Sequence, residues 1–315
     1  MSRSVTVAVV GARGVAAELG KKGTQSDLTL YNSARDGHAT TLVEPTHYPE
    51  KFAPLPVALS MADRTVLVVA ELSREVAETV ATVDLFSMPV ELLLGPAVGE
   101  REVHKAFKGT RIESAASAPL DLPKLRADLE TWDGPPDSAG PTLVPIDHAF
   151  PVKGVGAVAL GVVRRGTLKA HDRLTLFPTG KVVEVRSIQV HDVEVREAGV
   201  GERVGVALKG VEADELERGQ TLAPEGALSV ATEFRAPFER PCPYYRGRID
   251  AGAPFQLLAG LELVPVRLSG SEGGVLSFDA DRPVAFEPGQ AGYLCDPSAS
   301  PGPRIAGRVR LSQRT

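Results

Sequence analysis

Residues 20–27 (GKKGTQSD) bring two lysines and two hydroxyl groups onto a short stretch of flexible backbone. Lys21, Lys22 and Thr24 could together grip a phosphate, including a phosphate of an RNA backbone. The same stretch could instead be the solvated end of a helix that is capped by Gly23, with its lysines at the negative end of the helix dipole. Both interpretations stay open at this point.

Two further groups of residues carry charge or aromatic rings that could contact RNA. The first is a basic edge made of Arg164, Arg165, Lys169 and Arg173. The second is the run Tyr244, Tyr245 and Arg246, in which two aromatic rings adjoin a cation. Such rings can stack on unpaired bases, although core packing of at least one tyrosine is the favoured role.

The residue pattern predicts neither a hydrolytic active site nor a metal site. The histidines are scattered, and no Ser-His-Asp set or metal-ligand spacing is present. Cys242 and Cys295 lie far apart. A basic run of His104, Lys105 and Lys108 is more typical of a solvated helix face than of a binding site.

Composition sets the broad class of protein. The chain has 315 residues, of which 43% are hydrophobic, and this predicts two or three globular domains. The net charge is −5, so a nucleic acid could bind only at a local basic patch. No apolar run approaches the roughly 18 residues that suggest a membrane span, and the start of the chain has no signal-peptide pattern. We therefore expect a cytoplasmic protein with reduced thiols and no membrane partner.

Residues 1–133 alternate between apolar strand patterns and helix patterns. The predicted strands are residues 5–10, 28–31, 65–70 and 90–94, and the predicted helices are residues 14–22, 73–85 and 122–132. Ser73 is a suitable helix N-cap, with Glu75 and Glu78 near the positive end of the dipole. Alternating strands and helices predict an α/β domain with a mostly parallel sheet.

Residues 134–141 (GPPDSAGP) have the composition of a linker, and only β patterns follow them. The predicted strands are residues 143–146, 157–163, 173–177, 182–189 and 203–208, then 231–238, 260–268, 274–278 and 304–311. A weak break near residues 224–226 separates two all-β barrels, at 142–224 and 225–315. In the first barrel, Val182, Val185 and Ile188 should point inward once a bulge is allowed for.

Residues 143–223 contain short motifs in a fixed order. They begin with Pro145-Ile146-Asp147, continue through a Lys153-Gly154-x-Gly156 turn, and end with Arg218-Gly219. This series resembles the second domain of elongation factor Tu, SelB and the gamma subunit of initiation factor two. Residues 283–290 and 305–310 resemble the third domain of the same proteins. The resemblance implies an α/β GTPase-like N-terminal domain followed by two elongation factor Tu-type β-barrels, the first of which would meet tRNA or the ribosome.

The resemblance also implies a GTP-binding domain at residues 1–133, but its nucleotide motifs are degenerate. A phosphate loop needs G-x-x-x-x-G-K-[ST], and counting from Gly11 its lysine and hydroxyl positions hold Ala17 and Glu18. The magnesium-binding D-x-x-G is replaced by a stretch that begins with Glu44, and the guanine-binding N-K-x-D is replaced by GPAVG. The degenerate nucleotide-site positions are Gly11, Gly14, Ala17, Glu18, Glu44, His47 and Gly95.

We therefore expect no catalytic residue, no resident cofactor or metal, weak or absent GTP binding and no hydrolysis. The leading hypothesis is a translation factor paralogue of the SelB or elongation factor Tu kind that binds tRNA or ribosome-associated RNA. One alternative is an active factor with a remodelled nucleotide site, which would use GTP and magnesium. Another is a protein-binding mimic that regulates an authentic translation factor.

Overall fold

The computed structural model describes residues 3–35, 37–136 and 138–314 of the chain. The chain divides into two compact units. The first, which we call the α/β unit, is Met1–Gly134 together with Glu239–Arg248 and Tyr293–Arg308. The second, which we call the barrel unit, is Pro135–Phe238, Ile249–Gly292 and Val309–Thr315. Two segments of residues 225–315 therefore group with the α/β unit.

A mostly parallel sheet forms the centre of the α/β unit. Its strands are β1 (Arg3–Val10), β2 (Lys21–Gln25), β3 (Thr29–Arg35), β4 (His38–Glu44), β5 (Arg64–Val69), β6 (Val90–Leu94) and β7 (Ser117–Pro119). They lie in the order β2-β3-β4-β1-β5-β6-β7, and only the pairings of β3 with β2 and β4 are antiparallel. Val5, Val7 and Val9 of β1 are buried, as expected for a central strand. The predicted α/β class is confirmed.

The helices of the α/β unit are α1 (Val15–Leu19), α2 (Pro54–Met61), α3 (Arg74–Phe86), α4 (Glu100–Ala106) and α5 (Leu122–Leu129). The predicted N-cap of α3 is confirmed, because the Ser73 side chain accepts a hydrogen bond from the amide of Val76. The sequence patterns did not predict α2 or β4. The helix predicted at residues 122–132 ends at Leu129.

The helix predicted at residues 14–22 is wrong beyond Leu19. The backbone becomes extended at Gly20, and Lys21 then pairs with Asn32 in β2 and β3. Gly23 is therefore a strand residue and not a helix cap. A five-residue helix has little cooperativity of its own, whereas pairing along β3 gives the backbone of this segment hydrogen-bond partners.

The first barrel lies in the barrel unit. Its strands are β8 (Val144–Val152), β9 (Gly156–Val162), β10 (Leu168–Lys169), β11 (Arg173–Phe177), β12 (Lys181–Val190), β13 (Val193–Val195), β14 (Glu197–Ala198), β15 (Arg203–Lys209) and β16 (Thr221–Ala223). The ring runs β11-β16-β8-β9-β15-β12 and closes where β12 pairs with β11.

One predicted inward residue of this barrel is wrong. Val185 and Ile188 are fully buried, but Val182 is 53% exposed and Val183 takes the inward position instead. The predicted bulge is present between Val185 and Ser187. Because side chains alternate along a strand, a bulge there places residues 183, 185 and 188 on the inner face.

A second barrel follows. Its strands are β17 (Ser229–Pro241), β18 (Pro254–Ala259), β19 (Glu262–Glu272), β20 (Val275–Phe286), β21 (Ala291–Cys295) and β22 (Ile305–Arg310), and they form a closed ring in the order β17-β20-β19-β18-β21-β22. Phe234 packs against Phe278 and Phe286, with ring centroids 5.2 and 5.3 Å away. The sequence patterns did not predict β18. The two predicted all-β barrels are confirmed.

Candidate functional site

A cleft of about 420 Å³ opens at the carboxyl ends of β1 and β5, and the last residue of β4, Glu44, forms part of its wall. These strands are parallel, so their carboxyl ends meet at one edge of the sheet. Open α/β sheets bind their ligands at this edge. The cleft is therefore the candidate site of the α/β unit.

Gly11 and Gly14 shape the turn between β1 and α1. Their φ angles are +96° and +83°, in the left-handed region that glycine adopts without strain. A Cβ atom on Gly11 would lie 2.2 Å from the carbonyl oxygen of Val68, so β5 passes too close for any other residue. Gly14 is the N-cap of α1.

The carboxylate of Glu44 is held at the start of α1. Its Oε2 atom accepts a hydrogen bond of 3.0 Å from the backbone amide of Gly14. Only 8% of the residue is exposed. Burial raises the pKa of Glu44 above its ordinary value, and the amides of Gly14 and Ala16 and the charge of Arg13 offset this only in part. The first amides of α1 therefore already face a carboxylate of the same chain.

The rim of the cleft adds further negative charge. Arg13 donates to the carboxylate of Glu50 at 2.8 Å and to the carbonyl oxygen of Tyr48, so its positive charge is already balanced. Glu71 and Glu75 line the wall. The wall of the cleft thus carries the carboxylates of Glu44, Glu71 and Glu75 beside Arg13.

The structure brings together only some of the predicted nucleotide-site positions. Gly11, Gly14 and Glu44 meet at the turn before α1. Gly11 and Glu44 line the cleft. The positions that do not line it are Gly14, Ala17, Glu18, His47 and Gly95. Ala17, Glu18 and His47 are exposed, whereas Gly95 is buried and packs so closely that a Cβ atom would lie 2.9 Å from the Cα atom of Ala70.

The predicted phosphate contacts on β2 lie on an edge strand of the sheet. Lys21 and Lys22 are exposed, and Thr24 is half-buried. Neither lysine forms an ion pair within the described residues. An edge strand with lysines is protected from pairing with other chains, and the same two charges are also available to an anionic ligand.

The predicted basic edge of the first barrel divides into two kinds of residue. Arg165 already has partners within the protein, because it donates hydrogen bonds to the carboxylate of Glu287 at 2.5 Å and to the carbonyl oxygen of Pro141 at 3.0 Å. Lys169 lies 3.7 Å from Glu197 in an exposed ion pair. The remaining members are the half-buried Arg164 and the exposed Arg173.

The predicted stacking patch lies after β17, in a segment of the α/β unit. The hydroxyl of Tyr244 donates to the carbonyl oxygen of Lys108. The hydroxyl of Tyr245 donates to Asp296 at 2.7 Å. Both rings are half-buried, and Arg246 is exposed.

Comparison with known proteins assigns the family. The family of elongation factor Tu domain 2 matches residues 156–223. The selenocysteine-specific elongation factor of Methanocaldococcus jannaschii is 40% identical over 114 residues, which are 36% of this chain and 24% of that protein. An uncharacterised protein of the same organism is 34% identical over 297 residues, which are 94% of this chain and 96% of that protein. The chain belongs to the translational GTPase family of elongation factor Tu and SelB.

Other members of the translational GTPase family match over shorter regions or in fold alone. Elongation factor 1-alpha of Pyrobaculum arsenaticum is 34% identical over 131 residues, which are 41% of this chain and 30% of that protein. The structure of translation elongation factor SelB from Methanococcus maripaludis, in complex with the GTP analogue GppNHp, superposes with a TM-score of 0.83 at 19% identity, covering 99% of this chain and 79% of that one. At this identity the likeness shows the fold. The similarities together support a translation-factor-like function.

Buried ion pairs in this family member are the polar features that sequence patterns missed. In the α/β unit, Glu78 of α3 accepts hydrogen bonds from Arg304, the shortest at 2.6 Å. Asp84, also on α3, accepts two hydrogen bonds from the guanidinium of Arg240, at 2.8 and 2.9 Å. A carboxylate at a buried helix position signals that a cation must lie nearby, but the sequence does not say which of the distant arginines supplies it.

Within the described residues, no group of three or more His, Cys, Asp or Glu side chains is arranged to hold a metal ion. Among the same residues, no helix is both long and apolar enough to cross a membrane.

Proposed function

We propose that this chain is a translation factor paralogue, related to elongation factor Tu and SelB, that binds tRNA or ribosome-associated RNA without hydrolysing GTP. The proposal rests on the Glu44 carboxylate, which accepts a hydrogen bond from the amide of Gly14 at the start of α1. In phosphate-binding loops, amides in this position receive the phosphates of the nucleotide. Here a fixed carboxylate of the protein takes their place.

The residues present do not fit a guanine nucleotide with magnesium. The phosphate-binding lysine is replaced by Ala17, and the magnesium-binding hydroxyl by Glu18. The wall of the cleft carries Glu44, Glu71 and Glu75. Two like charges 4 Å apart repel by about 1 kcal/mol in bulk water and by more near a protein surface, so each carboxylate opposes a triphosphate. We propose that the protein has no resident nucleotide or metal.

RNA binding is the part of the proposal that the family relationship supports. The selenocysteine-specific factor and elongation factor 1-alpha are similar to this chain over 114 and 131 residues. The family of elongation factor Tu domain 2 matches residues 156–223, within the first barrel. Exposed cations without ion pairs in the described part of the chain occur on both units, at Lys21, Lys22 and Arg173. Phosphates of an RNA would release counterions at such sites, so binding should weaken as salt increases.

Titration with a fluorescent GTP analogue tests the nucleotide half of the proposal. We expect no saturable binding up to high micromolar analogue, with or without magnesium. Saturable, magnesium-dependent binding in the micromolar range would instead establish a remodelled but active nucleotide site. The variant Glu44→Gln should also fail to bind, since it restores no phosphate-binding lysine.

Binding of purified tRNA and ribosomal subunits tests the RNA half. We expect salt-dependent binding that is weakened in the double variant Lys21→Gln/Lys22→Gln. Lys124→Gln is the matched control, because Lys124 is an exposed lysine that is already paired with Asp128 at 2.8 Å. Capture of a translation factor that survives RNase and retains no RNA would contradict the proposal and favour the protein-binding mimic.

A further inference from the structure

Two segments that are 136 residues apart in the sequence meet at the surface of the α/β unit. The hydroxyl of Tyr244 donates to the backbone carbonyl oxygen of Lys108, just beyond the end of α4. Both segments belong to the same compact unit. The basic run around Lys108 and the aromatic run at Tyr244 are therefore parts of a single surface.

The loop that carries Tyr244 is fixed by hydrogen bonds on both sides. The amide of Cys242 donates to Ala306 at 2.8 Å, and the amide of Tyr245 donates back to Cys242 at 3.2 Å. The guanidinium of Arg246 donates to the carbonyl oxygen of Pro243 at 3.0 Å. The tyrosine ring and the guanidinium are thus held in place before any ligand arrives, which lowers the entropic cost of binding.

The two segments that meet at Tyr244 carry three exposed cations. Lys105, Lys108 and Arg246 are exposed, and within the described residues none of them forms an ion pair. The neighbouring carboxylate, Glu113, accepts a hydrogen bond of 2.8 Å from the amide of Gly109. The two carboxylates near Tyr244 are therefore already bonded, Glu113 to the amide of Gly109 and Asp84 to Arg240.

We propose that Lys108, Tyr244 and Arg246 form a contact for single-stranded RNA. The ring of Tyr244 stacks on an unpaired base, and the two cations bind the phosphates on either side of it. Sequence-tolerant binding of single strands uses this combination of an aromatic face and flanking cations. The inference rests on the proposed RNA-binding function and names one part of its surface.

Fluorescence anisotropy with the full chain tests the contact. The probe is a labelled single-stranded RNA of about 12 nucleotides, within the site sizes of single-strand binding proteins. Base stacking on an aromatic side chain contributes about 1–3 kcal/mol, so Tyr244→Ala should weaken binding by about 5- to 150-fold. Tyr244→Phe keeps the ring and should bind within about twofold of wild type, which separates stacking from loss of the hydroxyl.

The cations are tested by their effect on the salt dependence. Lys108→Gln and Arg246→Gln should each weaken binding and lower the slope of log affinity against log salt by about one. Lys51→Gln is the matched control, because Lys51 is an exposed lysine of the same unit in a different segment. Thermal melting of each variant checks that the fold is retained.

The outcomes separate this inference from the proposed function. If wild type binds tRNA or ribosomal subunits but the three variants bind the single strand as wild type does, the contact is wrong and the proposed function stands. If wild type binds tRNA but does not bind the single-stranded RNA, the contact is also wrong and the proposed function also stands. If wild type binds no RNA, both fail. Capture of an acidic protein at this surface in place of RNA would also overturn the contact.

Discussion

Glu44 in the cleft and Asp147 in the first barrel are both nearly excluded from water, with 8% and 1% of their surface exposed. Their partners differ. Asp147 accepts hydrogen bonds from the guanidinium of Arg203 at 2.5 and 2.8 Å, and the Nδ1 atom of His148 lies 2.7 Å from it. Glu44 accepts from the amide of Gly14 and forms no ion pair within the described residues.

The two carboxyl groups consequently differ in their affinity for a proton. Burial alone would raise the pKa of Asp147, but the charge of Arg203 and the contact with His148 outweigh burial and hold this pKa below its ordinary value. Burial raises the pKa of Glu44, because two amides and a nearby arginine compensate less well. A buried carboxylate with a cation beside it is part of the scaffold. Glu44 forms no ion pair within the described residues, so its charge is compensated only in part by the amides and by Arg13.

The largest effect should follow from removing the scaffold carboxylate. Asp147→Ala leaves Arg203 buried without its partner, and such losses cost about 3–5 kcal/mol. Hydrogen exchange of the β8 and β15 amides measures the stability of this barrel directly. Lys169→Gln, which breaks the exposed pair with Glu197 in the same barrel, is the control and should cost less than about 1 kcal/mol. Equal losses in the two variants would show that the buried pair contributes no more to stability than the exposed one.

Glu78 tests whether a buried carboxylate stabilises the fold because it has a cationic partner or because of the unit in which it lies. It lies in the same unit as Glu44 but is paired with Arg304, as Asp147 is paired with Arg203. Hydrogen bonds to charged groups contribute about 1.5–3 kcal/mol, so Glu78→Gln should destabilise the α/β unit by about that amount. Urea unfolding followed by the fluorescence of Trp132 measures it. A neutral result would mean that location within the α/β unit matters more than the cation.

The control for Glu78 is a carboxylate in an exposed pair of the same unit. Glu130 contacts Arg35 at 3.0 Å, with 35% and 66% of the two side chains exposed. Glu130→Gln should change the stability of the unit by less than about 1 kcal/mol.

The sequence predicts the scaffold better than the cleft, for a physical reason. Alternation and glycine turns are local signals, so most strands of the first barrel were predicted, and Val182 was misplaced only because the position of a bulge is not visible in the pattern. The loss of the phosphate-binding lysine at position 17 is equally local. The bond from Gly14 to Glu44 is not local, because it depends on how β4 is placed beside β1.

The same limit applies to the residues predicted to contact RNA. Arg165 and Lys169 were grouped as one basic edge, but the nearest carboxylate of Arg165, Glu287, is 122 residues away in the sequence. Long-range partners decide which cations stay available. A pattern of basic residues predicts which segments carry positive charge. The fold determines which of these charges are already paired with carboxylates of the same chain.

Glu44→Gln should have a small effect of the opposite sign. The variant removes a buried charge that Arg13 and two amides offset only in part. Its side-chain oxygen can still accept a hydrogen bond from the amide of Gly14. We therefore expect stability at neutral pH to stay within about 1 kcal/mol of wild type, with any change towards higher stability. Urea unfolding measures it, and a loss of more than about 2 kcal/mol would show that the ionised carboxylate holds the turn together.

The smallest effect, and the sharpest comparison, is the pH dependence of the two sites. The pKa of Glu44 is raised above its ordinary value of 4.5, so the native state binds this proton more tightly than the unfolded chain does. Its contribution to stability is complete below pH 4.5 and is lost as pH rises through the raised pKa. The pKa of Asp147 is lowered from 3.8, so its contribution is present above pH 3.8 and is lost as pH falls through the lowered pKa.

These opposite pH dependences can be measured as differences in the free energy of unfolding between wild type and the variants Glu44→Gln and Asp147→Asn. Between pH 4.5 and 7, the stability of wild type relative to Glu44→Gln should fall as pH rises. Below pH 3.8, the stability of wild type relative to Asp147→Asn should fall as pH decreases. If the stability of wild type relative to Glu44→Gln instead rose with pH, a cation would have to stabilise the ionised carboxylate of Glu44 in the folded protein. The cleft would then carry less net negative charge and would repel a triphosphate less strongly.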